Sequence, residues 1–251
     1  MPERTRRTWW AAGSAVVIAL LFAGAASVAA ARDEGADHHT AAPAAQSPAT
    51  DSADAGFARD MAVHHQQAVE MSFIVRDRTQ DEDVRRLAYD IANTQANQRG
   101  MLLGWLDLWE LPKAAAGQEP MAWMTAGGHA GHDMAGMPGM TAMPGTAGTD
   151  GGYKAHDGSL MPGMATRTEL GRLRGASGRQ AEILYLQLMT DHHKGGIDMA
   201  RGCADLCGVK AEKRLARGMV AGQQSELEAM AGMLAERGAA PRPGKTSGKT
   251  S

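Results

Sequence analysis

The chain has 251 residues, 43% of them hydrophobic but only 4% aromatic, and a formal net charge of −2. That length suits one or two domains, whose core must be built from Leu, Met, Ala, Val and Ile. Without clustered basic residues there is no footprint for nucleic acid.

Residues 1–31 read as an export signal: Arg4, Arg6 and Arg7 precede an apolar run from Trp9 to about Ala31, ending in Ala29-Ala30-Ala31. The run also approaches the roughly 20 residues that span a bilayer, so an uncleaved anchor is the alternative. Membrane association is expected only in that case. Cleavage would remove three arginines and Glu3 and take the net charge from −2 to −4. Residues 32–50 are Ala-, Pro- and polar-rich and are expected to be disordered; His38-His39 lies there.

A first helical hairpin is expected over 51–111. Phe57, Met61, His64, Ala68, Met71 and Val75 recur at spacings of four and three, which predicts one face of a helix. Thr79-x-x-Glu82 predicts a capping box for the next helix, which should stop before Pro112. Residues 112–165 lack periodicity, are rich in Gly and Pro, and hold eight of the 17 methionines. They read as a flexible linker. Within it, His129, His132, Met134, Met137, Met140, Met143, Met161 and Met164 form a Met/His tract, a second candidate metal-binding segment able to hold Cu(I), with a plain spacer as the alternative. A second hairpin is expected over 166–238. Thr166-x-x-Glu169 and Ser177-x-x-Gln180 predict capping boxes, Gly208 a left-handed cap, and Gly238 and Pro241 a stop. Residues 239–251 read as a disordered tail.

The two hairpins are copies of one unit. Phe57-x-x-x-Met61-x-x-His64-His65, then Met71, returns as Tyr185-x-x-x-Met189-x-x-His192-His193, then Met199, at a constant offset of 128. The register continues through Leu87/Leu215, Gln95/Gln223 and Leu106/Leu234. Each hairpin has one apolar face and cannot bury it alone. Packing the copies together predicts an all-α, four-helix bundle.

The chemistry follows from these residue types. Adjacent helical residues diverge by about 100°, so His64 and His65 are not expected to clasp one ion together. Met61 shares a helical patch with both, while Met71 belongs to another layer, so the expected unit is a Met–His patch per helix completed by the equivalent patch around His192-His193. Met61, His64, His65, Met71, Met189, His192, His193 and Met199 are therefore the candidate metal ligands, with Gln95, Gln223 and Glu226 placed to hold the imidazole N–H groups. Thioethers suit Cu(I), and imidazole accepts Cu(I) and Cu(II), so copper, and Cu(I) first, is the expected ion. The alternative for each methionine is core filler. Cys203 and Cys207 correspond to Val75 and Thr79 in the first copy, so they are private to the second. They make either a disulfide at a relaxed helix end or a thiolate Cu(I) site. No Glu-x-x-His of a di-iron centre occurs. Nor does any nucleophile–base pair or phosphate loop, so no enzyme is expected.

These residues resemble the domain-of-unknown-function 305 family. Its motif is an acid, an aromatic, Met-x-x-His-His, a small residue, an aliphatic and Met, then Gln-x-x-Glu on the next helix. Asp54, Phe57, Met61, His64, His65, Ala68, Val69 and Met71 match in the first copy. Glu182, Tyr185, Met189, His192, His193, Gly196, Ile197 and Met199 match in the second, with Gln223 and Glu226 after them. The first copy has Gln95 but Gln98 in place of Glu. The family's Met-Pro-Gly-Met segment occurs at Met137–Met140 and Met161–Met164. The resemblance, over roughly 51–237, implies a ferritin-like helical fold and, through the CopM-type periplasmic members, extracytoplasmic copper handling. Copper ions, and other copper-handling envelope proteins, are the partners so implied. A structural or interaction module of the envelope is the rival reading, and a copper-dependent enzyme the third.

Overall fold

Six helices make up the described part of the chain in the computed structural model, which covers residues 47–126 and 153–243. They are α1 (Ala53–Arg76), α2 (Glu82–Leu108), α3 (Ala122–Ala126), α4 (Arg167–Gly175), α5 (Gly178–Leu206) and α6 (Lys210–Glu236). No helix among the described residues is long and apolar enough to cross a membrane. The signal segment, His38, His39, His129, His132, Met134, Met137, Met140 and Met143 lie outside the described residues.

α1 pairs with α2, α5 pairs with α6, and α1 packs on α5. This is the expected helical bundle of two hairpins. Its core falls into two apolar clusters. One takes Phe57–Ala62 of α1, Leu102 and Leu106 of α2, Met199–Cys203 of α5, and Ala216 and Met219 of α6. The other takes Ala68–Val75, Val84–Ile91, Tyr185–Met189, Met230 and Leu234. Early α1 meets late α5, so the copies run antiparallel about an approximate two-fold axis.

The helix ends obey the same symmetry. Asp54 accepts hydrogen bonds from Gly208 N (3.0 Å) and Val209 N (2.7 Å) at the α5–α6 junction. Its counterpart Glu182 accepts one from Thr79 Oγ1 (2.5 Å) at the α1–α2 junction, and one from Arg237 (2.7 Å). An acid near the start of α1 and of α5 thus ties down the hairpin turn of the other copy. Capping differs from expectation at three places. Asp81 rather than Thr79 caps α2, because Thr79 is turned to Glu182. Ser177 precedes α5 without a side-chain cap bond. Gly208 is not left-handed; its N–H is taken by Asp54 instead. The Thr166/Glu169 box is formed reciprocally, and Gly238 is left-handed at φ 58°.

The linker expectation needs correction over both of its described ends. Trp123 of α3 is buried, sits edge-on to Phe57 at 5.7 Å, and donates Nε1 to Asp60 at 2.9 Å. Arg59 donates to the carbonyls of Thr50 and Pro112, both at 2.7 Å, fastening segments on either side of the hairpin. Met161 and Met164 are buried in the first apolar cluster. Gln67 grips the backbone of Ala165 in both directions: Nε2 donates to the carbonyl at 2.9 Å, and the amide donates to Oε1 at 2.6 Å. The tail likewise begins docked: Arg242 pairs with Glu169 (2.5 Å) and Asp191 (2.6 Å).

Candidate metal centre

Between the two apolar clusters every long helix contributes polar side chains: His64 and His65 from α1, Gln95 from α2, His192 and His193 from α5, Gln223 and Glu226 from α6. The four histidines are 0% exposed, and Gln95 and Gln223 are 1% and 4% exposed. The α1–α5 crossing puts His64 on His192, with ring centroids 3.8 Å apart, and His192 lies 6.3 Å from His193. The neighbouring imidazoles add to burial in disfavouring protonation of His64, His65 and His192. The divergence of adjacent histidines is therefore overcome in part: an antiparallel partner brings the pairs into one layer.

Two hydrogen bonds fix tautomers. His192 Nε2 donates to the His64 carbonyl at 2.9 Å. His193 Nε2 faces the Glu226 carboxylate at 2.6 Å. His192 then presents an unprotonated Nδ1, the lone pair a metal takes, and His193 turns its Nδ1 to the side opposite Glu226. Neither Nδ1 has a hydrogen-bond partner, nor has either ring nitrogen of His64 or His65. The Pro162 carbonyl lies near His64, and Gln95 and Gln98 near His65, without forming well-aligned hydrogen bonds. The amide groups of Gln95 and Gln223 are also unsatisfied. An orphaned buried polar atom costs about 1–3 kcal/mol, so a layer with six such imidazole nitrogens is an expensive way to fill a core. Burial pushes His64 and His65 down to about 3, and His192 well below its ordinary value, so all three rings are neutral at physiological pH. Neutral imidazole is the ligating form.

The candidate methionines flank this layer on both sides. Met61 and Met199 lie in one apolar cluster with Met161 and Met164; Met71 and Met189 lie in the other, beside Met230. The Met161–Met164 segment lies directly on α5. A Cβ on Gly195 would stand 2.1 Å from the Pro162 carbonyl oxygen, so only glycine admits this contact. Sequence reasoning missed that role of Gly195, and Gln67 as well; the signal was a Gly-Gly pair directly after His192-His193-Lys194. Gly196 is similarly pressed by Gln223, 2.6 Å from where its Cβ would lie.

Cys203 and Cys207 form a disulfide with Cα atoms 4.8 Å apart. Cys207 has left the helix for extended backbone, at φ −63° and ψ 146°. That departure makes an i, i+4 bridge feasible, and in this state the sulfurs are not free thiolate ligands.

A family model described as domain of unknown function (DUF305) matches residues 54–234. Among solved structures the chain is similar to a candidate secreted DUF305 protein of Streptomyces coelicolor, at 56% identity over 78% of this chain and 99% of that one, with TM-score 0.63. A DUF305 fragment from Deinococcus radiodurans is 26% identical, over 73% of this chain and 96% of the other, with TM-score 0.53. CopM in its Cu(I)-bound form is 16% identical, over 73% and 96%, with TM-score 0.49. No curated protein matches the chain.

Proposed function

The chain belongs to the DUF305 family, and from that premise we propose that it is an extracytoplasmic copper-binding protein, acting as a chaperone or store in copper tolerance. One observation carries the reading: four fully buried histidines meet in one layer, with six ring nitrogens that no protein group satisfies. His64, His65, His192 and His193 would hold the ion, the last two through Nδ1. The thioethers of Met61, Met71, Met189 and Met199 give the layer its soft surroundings and favour Cu(I) over Zn²⁺. Glu226 and the His64 carbonyl would act as the groups that orient ligating imidazoles. The candidate secreted relative supports a location outside the cytoplasm, as does the Arg4–Ala31 segment. Copper ions are the partner, received from or passed to other copper-handling envelope proteins. Binding rather than catalysis is the role.

Anaerobic Cu(I) titration against a competing chelator tests the proposal. His64→Ala with His192→Ala should remove the tightest site, while the same changes at His38 and His39 should leave it. Equal losses from the two pairs would sink the assignment to the bundle.

A further inference from the structure

The duplication supplies an internal control for positions in register, and at one place the second copy alone gathers buried metal-ligating side chains. Where the first copy buries Val75, Thr79 and Val84, at 0%, 3% and 0% exposure, the second copy buries Cys203, Cys207 and Glu212 at 0%, 2% and 0%. All three counterparts stand at the offset of 128. The scaffold therefore does not need these side chains: an aliphatic and hydroxyl set fills the equivalent space. In the second copy that space holds two sulfurs and a carboxylate, with one donor atom of each lying within 4.8 Å of the others. Neither Glu212 oxygen makes a hydrogen bond. Burial and the neighbouring Asp54 carboxylate push Glu212 up to about 9, so the carboxyl is protonated in the oxidised chain; the fold does not require it beside the cysteine pair, since valine serves in the other copy.

We propose that the reduced chain binds one thiophilic divalent cation of the Zn²⁺ class through Cys203 Sγ, Cys207 Sγ and the Glu212 carboxylate, and that forming the disulfide closes this site. Two thiolates and a carboxylate are a donor set that Zn²⁺ accepts. Charge selects the valence. The three ligands carry three negative charges beside Asp54, so a divalent ion leaves one uncompensated and a monovalent ion two. Opening the site adds two electrons and two protons to the Cys203–Cys207 bond. A dithiol supplies them through a mixed disulfide and leaves as its own disulfide. The incoming cation then displaces three protons to solvent, two from the thiols and one from the Glu212 carboxyl. This site shares no ligand with the histidine layer and stands whether or not that layer takes copper.

The test uses the full mature chain, reduced with a phosphine under nitrogen and freed of excess reductant. Zn²⁺ titration should show one more equivalent bound than in the oxidised chain. Co²⁺ in its place should give a sulfur-to-metal charge-transfer band. Glu212→Gln should weaken that equivalent at least ten-fold. Glu212→Val, which copies the first half, should fold normally by circular dichroism and bind Zn²⁺ as weakly as Glu212→Gln. His64→Ala with His192→Ala should keep the site. Equal Zn²⁺ stoichiometry in the two redox states, or a Glu212→Val chain that binds as tightly as the parent, would overturn the proposal.

Discussion

His65 shows what a ligand-shaped core costs. Both its nitrogens are buried and unpaired, and its ring is held neutral by burial. A structural histidine would be satisfied, so replacing it with a hydrophobe of similar volume would be harmful. Here the opposite is expected: His65→Leu should stabilise the metal-free chain by about 1–3 kcal/mol while weakening copper binding. Urea unfolding of both chains without metal measures it, and a destabilised variant would mean that the ring is structural. The same burial sets a pH dependence. His64 and His65 are neutral down to about 3 in the folded chain, whereas unfolded histidine protonates near its ordinary 6.5. The unfolded state thus binds more protons below pH 6.5. Stability is full above that value and is lost as pH falls toward 3, by up to about 1.4 kcal/mol per pH unit for each ring. Glu212, pushed up to about 9 by burial and Asp54, titrates with the opposite sign over this range, so the Glu212→Val chain isolates the rings: its urea midpoints at pH 7, 6 and 5 should fall in that order, and flat midpoints would contradict the burial of neutral rings. The residue types of this site were legible in the sequence. The meeting of the two copies' patches was legible too; what was not is that both members of each adjacent pair are buried in one layer, because that depends on which face α5 turns to α1.

The helices themselves were readable from apolar spacing. The segments between them were not, because aperiodic Met-Pro-Gly-Met carries no signal of what it packs against. Its order comes from distant residues: Gln67 holding Ala165, and Gly195 leaving room for Pro162. Likewise α3 is only five residues long, held by Trp123 on Phe57 and Asp60. A short helix anchored by one aromatic shows no period. These contacts make a testable element. A methyl group on Gly195 would meet backbone at 2.1 Å, and backbone cannot swing aside as a side chain can. Gly195→Ala should therefore cost about 1–3 kcal/mol and loosen the Met161–Met164 segment. Gly222, with open space around its Cβ position, is the matched control, and Gly222→Ala should be neutral or mildly stabilising. Hydrogen exchange at residues 161–165 reads the loosening directly, and protection equal to the parent's would show that the contact is not what orders the segment.

At the scale of the molecule the two copies build one polar layer between them. The antiparallel packing of α1 on α5 places one polar layer across both, with apolar clusters to either side. His192 even donates to the backbone of His64, so the orientation of one copy's ligand depends on the other copy's main chain. A sequence repeat alone is compatible with two independent sites, one per copy. The fold favours a single shared one, and the two arrangements differ in how mutations combine. With separate sites, His64→Ala and His192→Ala would each remove one tight copper, and together they would remove two. With a shared site, each single change should already abolish the tight binding, and the double variant should be little worse than either. Energies of residues that act on one site are non-additive, whereas those of independent sites add to within about 0.5 kcal/mol. Cu(I) affinities and stoichiometries for the parent, both single variants and the double variant close that cycle. Additive losses, with stoichiometry stepping down once per histidine, would mean that each hairpin binds its own ion and that the stacked His64–His192 contact is only where two sites happen to meet.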